Sequence, residues 1–209
     1  MRRTRRTPVS PGRTQAERRA HSQRELVRAA VEIVAERGVS AATFQAIGER
    51  SGYHRSLVTQ HFGNRTGLID AILEYLQGHG GELMEQEHLD DLPGLQALLK
   101  YIDVFLTDLG RNREIRAYFM LLSSAVAELD PMRATYAVQN DRIRVRVQAI
   151  VERGQSEGTV RGELDANALA VMVGSLLLGL SMQLIVDPAL DLAAVRATAQ
   201  EALRNRLAA

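Results

Sequence analysis

Residues 43 to 65 read Thr-Phe-Gln-Ala-Ile-Gly-Glu-Arg-Ser-Gly-Tyr-His-Arg-Ser-Leu-Val-Thr-Gln-His-Phe-Gly-Asn-Arg, two short helical segments separated by Gly52. A glycine there supplies the tight turn that a residue with a Cβ tolerates poorly. Apolar Phe44, Ile47, Val58 and Phe62 are spaced to meet between the two segments, and Gly48 permits a close crossing. The outward positions of the second segment, Arg55, Ser56, Thr59, Gln60 and His61, carry donors and acceptors suited to phosphates and base edges. They include no carboxylate to repel a polyanion. The economical reading is a helix-turn-helix.

The flanks extend this reading. Upstream, Leu26, Ala30, Ile33 and Val34 form a helical stripe that Gly38 ends. Downstream, Asn64 stands as the N-cap of an amphipathic helix through Leu68, Ile69, Ile72, Leu73 and Leu76. From Arg24 to Leu76 the chain resembles the TetR family of transcriptional regulators, through Ala29-Ala30, Gly38, Thr43, Ile47, Gly52, Val58, His61-Phe62-Gly63, Arg65 and Leu68. The resemblance implies that Thr43 touches phosphate and that Arg55, Ser56, Thr59 and His61 line a recognition helix. It also implies that Arg65, where the family usually has lysine, grips phosphate. With Gln45, Tyr53, His54 and Gln60, these are the candidate DNA contacts. Three positions depart from the family pattern. His54 replaces the usual Ser and is expected to cap its helix more weakly. Thr59 replaces a common Tyr, and Thr66-Gly67 replaces an acidic pair that would favour the helix dipole.

Charge divides along the same line. Residues 1–70 hold 13 Arg and 6 acidic residues, net +7, and the remainder is net −6, giving the overall +1. A basic first third with an acidic remainder suits one face on DNA and the other held away from it. Residues 1–23 are rich in Arg with Thr, Ser, Pro and Gly between, and too poor in apolar residues to build a core. They read as a disordered arm, for which two roles stay open: a DNA arm favoured by a narrow minor groove, or a solubilising tail. No apolar stretch follows Arg2-Arg3 and Arg5-Arg6, which argues against an export signal. The chain has no Cys, which removes disulfides and thiolate metal sites and fits a cytoplasmic protein.

Beyond residue 70 the periodicity stays helical. Leu95, Leu98, Leu99, Ile102, Phe105, Leu106 and Leu109 form one stripe, and Ile115, Phe119, Leu122 and Val126 another. Asp130-Pro131 reads as the opening of a helix running to about Arg153. Residues 142–147 alternate like a strand, yet a stripe through Ile143, Val147, Ile150 and Val151 accounts for more of them as helix. Ala168 to Val186 has no charged residue and is long enough to span a bilayer. Gly174, Ser175, Gly179, Ser181 and Gln183 dilute it, and no basic cluster flanks it, so a helix covered by protein is expected, not a membrane span. The resemblance implies a four-helix dimer interface from this helix and the one carrying Leu192 and Leu207. Its candidate residues are Leu169, Val173, Leu176, Leu177, Leu180, Leu184, Val195, Ala199 and Leu203.

A dimer would pair two recognition helices for inverted half-sites, and a ligand preferring mismatched spacing would release DNA. The helix after residue 64 is the expected link; its Gly78, Gly80 and Gly81 leave open a kink or an ordinary helix end. Tyr101, Phe105, Arg116, Tyr118, Phe119, Met120, Ser123, Met132, Tyr136 and Gln139 are the candidate effector contacts, apolar bulk with a few polar groups. No catalytic or metal motif is visible, His79 and His88 read as surface residues, and one of Asp90-Asp91 reads as a helix cap. The expectation is an all-α protein: an arm at 1–23, a helix-turn-helix DNA-binding domain at 24–70, and an effector-binding and dimerisation domain at 71–209. It needs no cofactor and is not an enzyme. Its partners are an operator duplex, a second copy and a small molecule. Two alternatives are an effector-independent DNA-binding activator or architectural protein, and a helical ligand-binding or membrane-associated protein.

Overall fold

A computed structural model describes residues 14–127 and 133–209, except for the side chains of residues 79–86, 135 and 139. The helices are α1 Gln15–Arg37, α2 Phe44–Ser51, α3 Arg55–Phe62, α4 Arg65–Gln86, α5 Gly94–Leu109, α6 Arg113–Ala127, α7 Arg133–Ser156, α8 Ala166–Val186 and α9 Leu192–Leu207. Among the described residues there is no β-strand, only a single bridge between Val160 and Ala208. Residues 142–147 are helical, although Ile143 lies on the exposed side of α7 while Val147, Ile150 and Val151 are buried. Asp130-Pro131 and residues 1–13 lie outside the described residues.

Local signals explain most boundaries, and three expectations need correction. The first helix begins at Gln15, not near Arg24. Thr14 Oγ1 accepts from Glu17 N (3.2 Å) while Glu17 Oε2 accepts from Thr14 N (2.7 Å), a reciprocal capping box that makes Thr14–Gln23 part of the helix instead of the arm. Next, α4 stays helical through Gly78, Gly80 and Gly81, because an α-helix tolerates glycine when its neighbours propagate the ladder. Lastly, neither Asp90 nor Asp91 caps α5: both sit in a 3-10 turn, Leu89–Asp91, and Pro93 precedes the helix. The free amides are met from α7 and its exit. Gly94 N donates to Glu157 Oε2 (2.7 Å) and Leu95 N to Thr159 Oγ1 (3.3 Å). Arg153 completes the joint by donating to the carbonyls of Leu89 (2.9 Å) and Leu92 (3.0 Å).

The apolar interior forms two clusters that do not follow the order of the chain. The first joins α1–α4 to α6, with Leu26, Ile33, Ile47, Val58, Ile72 and Leu73 meeting Ala117, Phe119, Leu121 and Ala125. The second joins α5, α7, α8 and α9 through Leu98, Ile102, Leu106, Val147, Val151, Val173 and Leu207. Phe105 and Ile115 pack against both. Helix α6 therefore shares its core with the DNA head, and coupling between head and body does not rest on α4 alone.

Helix α8 is the one described helix long and apolar enough to cross a bilayer, but one of its faces is built into the second core. This burial revises the dimer residues. Leu169, Val173, Leu177 and Leu180 of α8 and Leu203 of α9 are buried within the protomer, and Leu176, Leu184 and Val195 are half-buried against the same core. Ala199 is half-exposed. The stripe with the largest apolar side chains faces inward because the deepest core forms within one chain. The outward face of α8 instead carries Val171, Met172, Leu178 and Val186, exposed by 50%, 47%, 37% and 85%. Beside it, α9 exposes Ala194, Ala197 and Ala202.

The crossing of α5 and α7 has no spare room, since a Cβ on Gly94 would overlap Cα and N of Gly154. Gly94→Ala is expected to force the helices apart and to destabilise the fold by about 1–3 kcal/mol, the usual cost of overpacking. Urea denaturation of the variant beside the parent measures this, and an unchanged midpoint would refute the close-crossing role.

Candidate DNA interface and effector cavity

The turn between α2 and α3 is set by two glycines. Gly52 has φ 76°, a left-handed conformation that glycine adopts without strain, and Tyr53 N donates to Gly48 O (3.0 Å) to close the helix end. A Cβ on Gly48 would stand 2.7 Å from Tyr53 O, so a larger residue would push α3 away from α2. Ile47, Val58 and Phe62 are buried between the helices, and Phe44 is half-buried against them.

With its inner side so anchored, α3 turns Arg55, Ser56, Thr59 and Gln60 to solvent, beside exposed Thr43, Gln45 and Arg65. Thr43 Oγ1 caps α2 by accepting from Ala46 N (3.1 Å), and Gln45 Nε2 donates to Glu49 Oε1 (2.6 Å). His54 does cap α3: its Nδ1 accepts from Ser56 N (3.2 Å) and lies 2.8 Å from Ser56 Oγ. Tyr53 is half-buried against the head core. At the start of α4, Asn64 Oδ1 accepts from Gly67 N (3.0 Å). A Cβ at position 67 would overlap Phe62 O, so this approach of α4 to α3 leaves no space for an acidic side chain there.

His61 differs from the other candidates on α3. It is half-buried, and its Nε2 lies 2.9 Å from Oγ of buried Ser22 on α1, with Ser22 Oγ also 3.0 Å from Arg19 O. Its geometry fixes α3 on α1. On the other flank, Arg50 of α2 reaches Glu36 (2.8 Å) and Glu32 (3.4 Å) on α1, and Arg113 at the start of α6 reaches Glu36 (3.7 Å). The hydrogen bond from Arg50 holds the Glu36 carboxyl below its ordinary value. One carboxylate thus joins α1, α2 and α6.

Burial, and secondarily the Arg19 charge, push the His61 imidazole below its ordinary 6.5. The folded head favours neutral His61, so this contribution to stability is full above about pH 6.5. It declines as pH falls through that value towards the lower folded-state pKa, then levels off. His61→Gln is expected to lose this component of the pH dependence. Urea midpoints at about pH 7.5 and about pH 5 in parent and variant test it; an equal drop in both proteins would count against the neutral His61–Ser22 contact.

A second feature lies at the seam of the two cores. A cavity of about 470 Å³ is lined by Tyr101 and Phe105 of α5, Tyr118, Phe119 and Leu122 of α6, and residues of α7 and α8, including Asp141, Arg144, Ala170, Gly174 and Leu177. Of the expected effector contacts, Tyr101, Phe105, Tyr118 and Phe119 come together here. Arg116 is exposed and does not line the cavity. Met120 packs on the head core instead, and Ser123 turns away to donate to Phe119 O (2.8 Å). Tyr136 is buried behind the lining, 5.8 Å from the Tyr118 ring. Met132 and the side chain of Gln139 lie outside the described residues. The contributions of α7 and α8 were missed because residues such as Ile143, Gly174 and Leu178 carry no distinguishing pattern in sequence.

The known proteins bear on both features. Residues 26–72 match the family model for bacterial regulatory proteins of the tetR family, and residues 94–208 match that for the C-terminal part of BetI-type transcriptional repressors. Among curated proteins, none matches significantly. Several solved structures are similar. A TetR transcription regulator from Haloarcula marismortui aligns with TM-score 0.77 and 18% identity, over 90% of this chain and 99% of its own. A protein from Saccharomonospora viridis in complex with choline aligns with TM-score 0.79 and 17% identity, over 91% and 99%. NalD, the secondary repressor of the MexAB-OprM multidrug efflux pump in Pseudomonas aeruginosa, gives TM-score 0.70 and 19% identity over 92% and 98%. At these identities the structures support the fold alone.

Proposed function

This chain belongs to the TetR family of transcriptional regulators, and from that premise we propose that it is a cytoplasmic repressor. It binds a palindromic operator as a homodimer and is released by a small-molecule effector. The observation that carries the DNA reading is the face of α3. Arg55, Ser56, Thr59 and Gln60 are exposed together on a helix whose other side is held by Ile47, Val58 and Phe62. A preorganised helix of this kind enters a major groove without loss of order, and the exposed Thr43 and Arg65 at neighbouring helix starts meet the phosphates on either side. His61 then serves by holding α3 in place.

Dimerisation is assigned to the outward faces of α8 and α9. Val171, Met172, Leu178 and Val186 form an apolar patch too large to leave in water, and the small side chains of α9 beside it allow a second helix pair to approach closely. A two-fold arrangement through this face presents two α3 helices to inverted half-sites. Release is supported by the position of the cavity: its wall includes Phe119 and Leu122 of the head core and Tyr101, Ala170 and Leu177 of the body core. An occupant that separates these walls favours a different head orientation, and its effect is bounded by its differential affinity for the two states. The choline held by the Saccharomonospora viridis protein supports the view that proteins of this shape accept small molecules.

Two substitutions separate phosphate contact from base readout. Arg65→Ala is expected to weaken binding to every duplex and to reduce the slope of log K against log salt by about one. Arg55→Ala is expected to cost about 1–3 kcal/mol and to relax preference at one operator position as well. Selection of bound genomic fragments by the purified protein, followed by salt titrations on the enriched site, measures both. The absence of any enriched inverted repeat would sink the operator reading. Met172→Arg places a charge in the proposed interface and is expected to yield a folded monomer with much weaker operator binding. Sedimentation equilibrium with circular dichroism checks it, and a dimer of unchanged affinity would move the interface elsewhere.

A further inference from the structure

The cavity lining contains one polar group that the fold itself does not use. Tyr118 sits on α6 with its ring edge-on to Phe119 (5.2 Å) and Tyr136 (5.8 Å), and its hydroxyl is shut off from solvent with no hydrogen-bond partner. A buried hydroxyl in this condition is costly, and native structures leave few without a purpose. Desolvation pushes the phenol up to about 12, so at neutral pH the group remains an O–H donor.

The charged residues of the lining offer no comparable opening. Asp141 accepts from Arg144 Nε (3.1 Å), and Arg144 is held further by Gln148 (3.3 Å) and by Asn167. The pair neutralises itself at the exposed rim, so neither a bound cation nor a bound anion would find a free counter-charge there. The rest of the wall is aromatic and aliphatic: Phe105, Phe119, Leu122 and Leu177. We infer that the occupant is an uncharged, largely apolar molecule whose single buried acceptor, a carbonyl, ether or hydroxyl oxygen, receives a hydrogen bond from Tyr118 Oη. This rests on the reading of the cavity as the effector site. It differs from recognition of a quaternary ammonium, which would use the aromatic faces and leave the hydroxyl unpaired.

The test uses the full-length dimer and three probes: prodan, a neutral naphthyl ketone; 2-dimethylaminonaphthalene, which lacks the ketone; and choline. Prodan is expected to bind saturably. Tyr118→Phe should weaken prodan about tenfold, the usual reach of one buried hydrogen bond, and leave the ketone-free naphthalene within about twofold. The same variant should melt no lower than the parent, because it removes an unpaired hydroxyl and no contact; a structural role for the hydroxyl would lower the Tm. If both naphthalenes bind and Tyr118→Phe does not separate them, the hydroxyl is not the anchor and the inference falls, while the cavity stands as a ligand site. If choline binds and the neutral probes do not, the assigned ligand class is overturned. If none of the three binds, the inference falls together with the effector-release reading on which it rests.

Discussion

Helix α6 packs its buried side, Ala117, Phe119, Leu121 and Ala125, onto the core formed by α1 and α4, and much of the molecule depends on that contact. Because Ala117 is fully buried, α6 lies close enough to α1 for Arg113 to reach Glu36, the same carboxylate that anchors Arg50 of α2. The helix-turn-helix is thereby attached to the body by apolar packing and by an ion-pair bridge at one edge. Exposed ion pairs contribute little stability singly. Here their effect is geometric, fixing the angle between α1, α2 and α6 while burial supplies the attachment.

The same helix forms one wall of the cavity, which explains how a ligand site and a DNA site come to be related in so small a protein. The two cores are each dense, with residues such as Ile33, Ile72, Leu98 and Ile102 almost without exposure, and dense cores do not deform gradually. Space remains at the seam, where Phe105 has to serve both clusters. A molecule bound in that seam acts on the relation between two rigid bodies instead of on either interior, the arrangement in which small displacements become discrete changes of state.

Much of this was legible in the residues themselves. The turn at Gly52, the crossing at Gly48, the cap at Asn64 and the stripes of α1, α5 and α9 each depend on interactions within a few positions of one another, which a sequence records directly. The start of α1 was misplaced because Thr14 and Glu17 form a capping box in a stretch whose arginine content reads as disordered. The cap of α5 was misassigned for a different reason: Asp90 and Asp91 are adjacent to it in sequence, whereas Glu157 and Thr159, the groups that bind its amides, arrive from the far end of α7. His61 read as a base contact because its spacing on α3 suits one, while its partner Ser22 lies 39 positions away.

The sequence alone determined the helical class, the helix-turn-helix and its exposed polar face, since periodicity, glycine placement and short-range capping are local properties of a chain. Which face of α8 looks outward was decided only by tertiary packing. Both of its sides are apolar, so no periodicity distinguishes the side bearing Leu169, Val173, Leu177 and Leu180 from the side bearing Val171, Met172 and Leu178 until α5 and α7 cover the first. The cavity was likewise beyond the sequence. It is a space left between two cores, made by residues of four helices whose separation along the chain carries no record of their meeting.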